Sequence, residues 1–416
     1  MSQGSKAEVL ILGGGVIGLS CAVSLLRRGT RVTVLEKATV GAGSSWANCG
    51  LITPSHAPPL AQPGMVAKAL GSMFRRDSPF YVRPRLDPAL ARFGLDFFRR
   101  CNPRDVARGL AAKAALLNLS RQLLGELIER EGLDCEFAAA GLLMVYQTEA
   151  GLAESRAFDS ALAEHGIEIQ AVAGSELRRL EPALCEGLAG GRFFPIDAHL
   201  RPDRLVVELA RRVREQGGEI EEGCEVHSIA AAADGLEVAT SKGLRRGRYG
   251  ILALGSWSPR FSQQLGLRIP IQPGKGYTIT VARPEAAPRI PLLFEEHKVA
   301  VTPWASQIRV GSTMEFAGYD TRLNRVRLEA LWRGAQVYLP GLVPQNAREE
   351  WYGWRPMTPD DLPLLGPAPK IPGLYLAAGH NMLGVSLSTA TGEILAAQIL
   401  GETPPLDLTP FSPTRF

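Results

Sequence analysis

The 416-residue chain has few cysteines, little net charge and no long apolar run. Its six cysteines, Cys21, Cys49, Cys101, Cys135, Cys185 and Cys224, are scattered without a C-x-x-C pair or a histidine at ligand spacing. That gives no basis for a disulfide framework or a metal site and fits a reducing compartment. A formal net charge of +4 is small for this length and gives no support to nucleic-acid binding. No apolar run approaches the roughly 20 residues of a membrane span, and the first strand pattern begins within about eight residues, leaving no room for a signal peptide. The expectation is a cytoplasmic protein or one associated with the inner face of a membrane. Internal repeats and low-complexity segments are absent.

What is present is an ordinary globular composition, 45% hydrophobic and 21% charged, in a chain longer than one core usually grows, so two domains are expected. The N-terminal stretch VLILGGGVIGLS reads as a buried strand, a glycine turn and the start of a helix. Gly13, Gly15 and Gly18 have the G-x-G-x-x-G spacing that lets backbone approach a pyrophosphate at a helix N-terminus. The helix continues to Leu26, Gly29 ends it, and residues 31–35 form a second strand closed by Glu36. A carboxylate there accepts both hydroxyls of a ribose. An adenosine diphosphate moiety binds here; the fingerprint alone leaves open whether it belongs to NAD or FAD.

Beyond this unit, a glycine and serine loop covers residues 41–54, and LLNLSRQLLGELIER lies in a helix predicted from about 103 to 131. GLLMVYQT reads as a strand. From Arg201 the pattern returns to a helix stopped by Gly217 and Gly218, a strand, and the buried strand of RYGILALGSWSP. Residues 274–281, 299–303 and 307–311 read as strands of an antiparallel sheet, the wall of a second domain made by insertion. Between Met73 and Arg100, Phe74, Phe80, Tyr81, Phe93, Phe97 and Phe98 interleave with arginines that include Arg75 and Arg76. This segment reads as a solvated face with its aromatics packed inward, the alternative being docking at an anionic bilayer.

Taken together, these pieces resemble the FAD-dependent D-amino-acid oxidase superfamily, and within it the bacterial D-amino-acid dehydrogenases. The resemblance rests on four motifs in order: residues 44–64 (SSWANCGLITPSHAPPLAQPG), the strand ILALGSWS, GWRPMTPDDLPLLGP and LAAGHNMLGVSLSTATGE. It implies FAD. An inserted antiparallel wall and a helix starting near Ser386, aimed at a ring that gains negative charge on reduction, suit a flavin as well. The implied fold is α/β: a glutathione-reductase-type, Rossmann-like FAD domain with an inserted antiparallel-sheet substrate domain of α+β character. The FAD domain is placed at 1–80, 195–262 and 352–416, and the substrate domain at 81–194 and 263–351.

Residues expected to hold the cofactor are Gly13, Gly15, Val16, Ile17 and Gly18 at the turn and Glu36 and Lys37 at the second strand. Ser44, Ser45, Ala47, Asn48, Gly50 and Leu51 follow in the wrapping loop, then Val226 and Gly255, then Gly379, His380, Asn381, Gly384, Val385 and Ser386. Arg355, at the RP of GWRPMTPDD, is where the resemblance places the arginine that binds the substrate carboxylate; the alternative is a structural arginine paired with Asp360 or Asp361. Tyr277 is expected either to help grip that carboxylate or to pack in the core. His380 is the best placed of the six histidines for contact with cofactor or substrate, and His56 is a weaker candidate. Trp351, Tyr352 and Trp354 flank Arg355, and alternation along a strand should leave fewer than three of them as pocket walls. No general base is assigned, and Cys49 is not expected to attach the flavin.

The implied activity is oxidation of a D-amino acid, including cyclic ones such as D-proline or hydroxy-D-proline, with electrons passed to an acceptor such as a quinone. An oxygen-using oxidase of glycine or sarcosine type, and the catalytic subunit of a hetero-oligomeric amine or opine dehydrogenase, are the alternatives. Partners other than substrate and acceptor are limited to peripheral membrane contact and self-association.

Overall fold

A computed structural model describes residues 7–71, 77–343 and 348–416. In the first strand, Ala7–Leu12, the apolar run Val9, Leu10, Ile11 and Leu12 is fully buried, as a central parallel strand requires. It pairs in parallel with Val32–Leu35 on one side and Gly243–Leu252 on the other. Glu219–Glu221 extends the parallel row past Val32–Leu35, and Leu374–Ala378 extends it past Gly243–Leu252. The ten-residue strand Gly243–Leu252 serves two partners at once: its N-terminal half closes an antiparallel meander with Val226–Ala232 and Gly235–Thr240. Leu364–Pro367 completes an eight-stranded sheet.

Helices cover this sheet. Val16–Leu26 packs against Gly384–Leu400 so closely that a Cβ on Gly392 would stand 2.6 Å from the Ser20 carbonyl oxygen. Ser24 and Arg28 tie the same pair together through the Glu393 carboxylate. Pro103–Glu131 begins at Asn102, whose side chain accepts from the Asp105 amide, and ends at Gly132 in the left-handed conformation. The sequence puts this helix in the substrate domain, but its Leu116, Leu117, Leu124 and Leu127 share one core with Val9, Ile11 and Leu395. Hydrogen bonds between Ser120 and Thr389 fasten it to Gly384–Leu400.

The second sheet has nine strands, from Arg348–Met357 at one edge through Gln272–Ala282, Gln307–Phe316, Val299–Pro303 and Leu292–Phe294 to Leu142–Tyr146, Gly190–Phe194 and Gln170–Ala173. It is mixed where the sequence pattern led us to expect antiparallel pairing throughout. Leu292–Phe294 runs parallel to Leu142–Tyr146, and Phe80–Val82 runs parallel to Gln307–Phe316. At both joints strands from distant parts of the chain meet, so no hairpin constrains their direction. Arg348–Met357 lies wholly in this sheet, so a boundary drawn at 352 falls inside a strand.

In the basic aromatic segment, Phe80, Phe93 and Phe97 cluster with Phe316, while Phe98 is exposed. Phe74, Arg75 and Arg76 lie outside the described residues. Among the described residues no helix is long and apolar enough to cross a membrane, and no group of side chains could hold a metal ion.

Candidate cofactor and substrate site

A cavity of about 1170 Å³ runs between the two sheets. Its lining includes Glu36, Lys37, Glu225, Val226, His380 and Gly384 from the first sheet and its helices and loops, and Arg355 from the second sheet. Gly13 leaves the first strand with φ +113, and a Cβ there would lie 2.5 Å from the Ala253 carbonyl oxygen. Gly18 faces the turn rather than the cavity: its Cβ would be 2.0 Å from the Gly13 carbonyl oxygen, so it permits the helix to seat on the strand. The Glu36 carboxylate is fixed by the amides of Gly14 (2.8 Å) and Ala38 (3.0 Å).

Two helix N-termini without side-chain caps of their own open onto this space. One belongs to Val16–Leu26, with Gly15 at the N-cap, and the other to Gly384–Leu400. Unpaired amides and the positive end of the helix dipole favour an anion at the first and developing negative charge at the second. Ser45 Oγ accepts from the Val16 amide at 3.0 Å, which leaves its own hydroxyl hydrogen to donate at the first helix. A carboxylate for a ribose, amides for a pyrophosphate and a second helix end for a ring that becomes anionic fit a flavin dinucleotide.

The cavity is lined by Gly13, Gly15, Val16, Ile17, Glu36, Lys37, Ser44, Ser45, Asn48, Val226, Gly255, His380, Asn381, Gly384 and Val385. The other expected cofactor residues lie behind it. Ala47 is fully buried and its carbonyl accepts from Thr278 Oγ1 at 2.9 Å. Gly50, with φ +65, passes so near the Leu200 carbonyl that a Cβ would be 2.0 Å away, and Leu51 pairs with His199. Gly379, with φ +78, leaves no room for a Cβ against Thr358. Ser386 Oγ is turned from the cavity to bond the Leu51 carbonyl and the Thr53 amide. These residues shape the wrapping loop and its seat on the C-terminal helix.

Trp257 and Tyr319 also line the cavity, and the sequence pattern singled out neither. Lys37 Nζ lies 3.9 Å from the Trp257 ring, which stacks on Tyr319, and Tyr319 donates to the Ser256 carbonyl. Trp257 carried a local signal, being two residues after Gly255. Tyr319 carried none, because its partner is 63 residues away.

Arg355 lines the cavity from the edge strand of the second sheet. Its Nη1 donates to the Thr313 carbonyl at 2.6 Å, and no carboxylate pairs with it among the described residues. The alternative partners are taken: Asp360 binds Arg415 at 2.7 Å and Asp361 binds the buried Lys113 at 2.5 Å. Burial without a counter-ion pulls the Arg355 guanidinium down to about 10, still charged at neutral pH. A half-buried cation that faces a cavity without a carboxylate partner is the arrangement that an anionic ligand completes.

Strand alternation separates Tyr277 from this group. Arg355 is directly opposite Gly274, so Gly274, Gly276 and Thr278 share its face, and Tyr277 is on the other. There its hydroxyl donates to Glu315 at 2.6 Å, and its phenol is pushed up by burial and by that carboxylate. Trp351, Tyr352 and Trp354 all border the cavity, more than alternation suggested, because their strand is the sheet's edge. His380 lies in the cavity wall with Nε2 3.0 Å from Thr391 Oγ1, and burial pulls its imidazole down to about 3, so it is neutral at working pH. His56 contacts Ser55 and does not line the cavity.

The sequence profile of the FAD-dependent oxidoreductases (DAO) matches residues 8–398. The chain belongs to this family. FAD is therefore its cofactor. Among curated relatives, the D-amino acid dehydrogenase of Granulibacter bethesdensis is 33% identical over 407 residues, covering 96% of this chain and 97% of that protein. The D-amino acid dehydrogenase of Agrobacterium fabrum is 32% identical, covering 98% and 99%. The crystal structure of glycine oxidase from Geobacillus kaustophilus superimposes with a TM-score of 0.77 at 26% identity, covering 99% of each chain. L-proline dehydrogenase from P. horikoshii shares the fold, with a TM-score of 0.76, 20% identity, and coverage of 99% of this chain and 98% of that one.

Proposed function

We propose that this oxidoreductase is a D-amino acid dehydrogenase. The observation that carries the reading is Arg355, a half-buried guanidinium on the cavity with no carboxylate paired to it among the described residues. When bound, FAD supplies the two-electron acceptor for the hydride that leaves the substrate Cα. Arg355 takes the substrate carboxylate and fixes its orientation. His380, held neutral by burial, contributes a polar contact and no charge. The substrate amine must be deprotonated before oxidation, and with no basic side chain assigned to the task, solvent takes that proton. Water then hydrolyses the imino acid to a keto acid and ammonia, unless the amine is cyclic. Gly13, Gly15, Glu36, Ser45 and the N-terminus of Gly384–Leu400 hold the cofactor, and Tyr277, bonded to Glu315 on the other face of the sheet, takes no part in gripping the carboxylate.

The dehydrogenase names of the curated relatives support an electron acceptor other than oxygen, and the acceptor we propose is a quinone or another respiratory component. D-proline and hydroxy-D-proline fall in the same substrate class. The test is anaerobic addition of individual D- and L-amino acids to the yellow protein, followed by reoxidation with air or a soluble quinone. Loss of the visible flavin band with D-amino acids, and faster recovery with quinone than with air, is expected. No bleaching by any D-amino acid would refute the reading, and a full yield of peroxide under air would favour the oxidase.

A further inference from the structure

Two glycines face each other across the strands beneath Arg355. Gly276 and Gly353 are direct cross-strand partners, and each is covered by a large side chain. A Cβ on Gly276 would lie 2.3 to 2.5 Å from Nη1, Cζ and Nη2 of Arg355, so the guanidinium rests flat on that glycine. A Cβ on Gly353 would lie 2.2 Å from Cη2 of Trp351 and 2.8 and 2.9 Å from Cζ2 and Cζ3, so the benzo ring of the indole rests on its partner. Directly paired residues have Cα atoms about 4.5–5.5 Å apart. The indole and the guanidinium are therefore laid side by side on one face of the sheet, and both line the cavity. On that face Thr278 spends its hydroxyl on Ala47, and Gly311 beyond it offers no side chain. The acidic residues that line the cavity among the described residues are Glu36, whose carboxylate accepts from the Gly14 and Ala38 amides, and Glu225, and neither belongs to this sheet.

We propose that the Gly276–Gly353 pair is a platform that sets the Trp351 indole next to the carboxylate-binding arginine, and that this indole is the wall against which the substrate's side chain is selected. The side chain of an amino acid leaves the carbon next to its carboxylate, so a ligand anchored on Arg355 has that side chain within reach of Trp351. Apolar side chains gain contact there, while a basic one finds no carboxylate to pair with. The selected class is thus amino acids with apolar side chains of leucine size, a statement that rests on the amino-acid reading of the site.

The test uses ligands that cannot react. FAD-loaded protein is titrated by calorimetry with propanoate and with 4-methylpentanoate, the leucine skeleton without its amine. The wild type should bind the longer acid at least about tenfold more tightly, as burial of three further carbons requires. Trp351→Ala should reduce that preference to about threefold or less, and Trp351→Phe should keep most of it, since a ring still covers the glycine. Arg355→Leu should lose both acids. A preference that survives in Trp351→Ala, a wild type without preference, or an equal loss of both acids in Trp351→Ala would each overturn the assignment. Failure of every D-amino acid to bleach the flavin would instead strike the proposed activity and leave the titration interpretable.

Discussion

Replacing Arg355 by leucine should damage binding and spare the fold, and the structure gives the size of both effects. Burial lowers this guanidinium to about 10, which corresponds to a penalty on the order of 2–3 kcal/mol after allowance for its partial exposure. The folded form holds its proton less tightly than the unfolded chain, so at neutral pH the charge opposes folding. Against that stands one hydrogen bond to the Thr313 carbonyl, worth about 1 kcal/mol. The leucine variant should therefore melt at the same temperature as the wild type or about 1–3 °C higher. Its apparent KM should rise by about a hundredfold or more, because a buried charge partner of the substrate is gone. Steady-state kinetics with a D-amino acid and a quinone acceptor give the first quantity, and a thermal melt of the same preparation gives the second. A variant that melts several degrees lower with KM changed less than about threefold would show that Arg355 is a structural residue and that the carboxylate binds elsewhere.

Tyr277→Phe removes a bond to Glu315 behind the sheet, so it should leave KM within about threefold and cost about 1 kcal/mol of stability; kinetics and a melt separate the two. Gly18→Ala drives a methyl into the Gly13 carbonyl, and the purified protein should have lost most of its flavin, read as the ratio of visible to ultraviolet absorbance. Lys113→Met strands the buried Asp361 carboxylate and should cost about 3–5 kcal/mol in denaturant unfolding. Asp197, buried and held by Ser55, has its carboxyl pushed up to about 7 by burial. Its raised value means a contribution to stability that is present at low pH and lost as pH rises through 7. Asp197→Asn should therefore gain stability relative to wild type between pH 5 and pH 8 in paired melts.

Local chemistry determined much of this protein. The glycine turn, Glu36, the helix ends at Gly132 and Gly217, and most buried strands follow from residue type and spacing within about 30 neighbouring positions. Arg355 was legible as a candidate because a short motif carries it. Other features have no local signature. Whether Arg355 pairs with its neighbours Asp360 and Asp361 depended on where Arg415 and Lys113 arrive, from the far end of the chain and from a helix some 250 residues earlier. The face on which Tyr277 sits was fixed by register against another strand, and a shift of one residue would have turned it toward the cavity. The parallel joints of the second sheet, the attachment of Pro103–Glu131 to the C-terminal helix, and the place of Tyr319 in the cavity wall are likewise pairings between distant segments. Sequence sets what each residue can do over a turn or a strand; which charges meet, and which are left facing a cavity, is decided only when those segments close on one another.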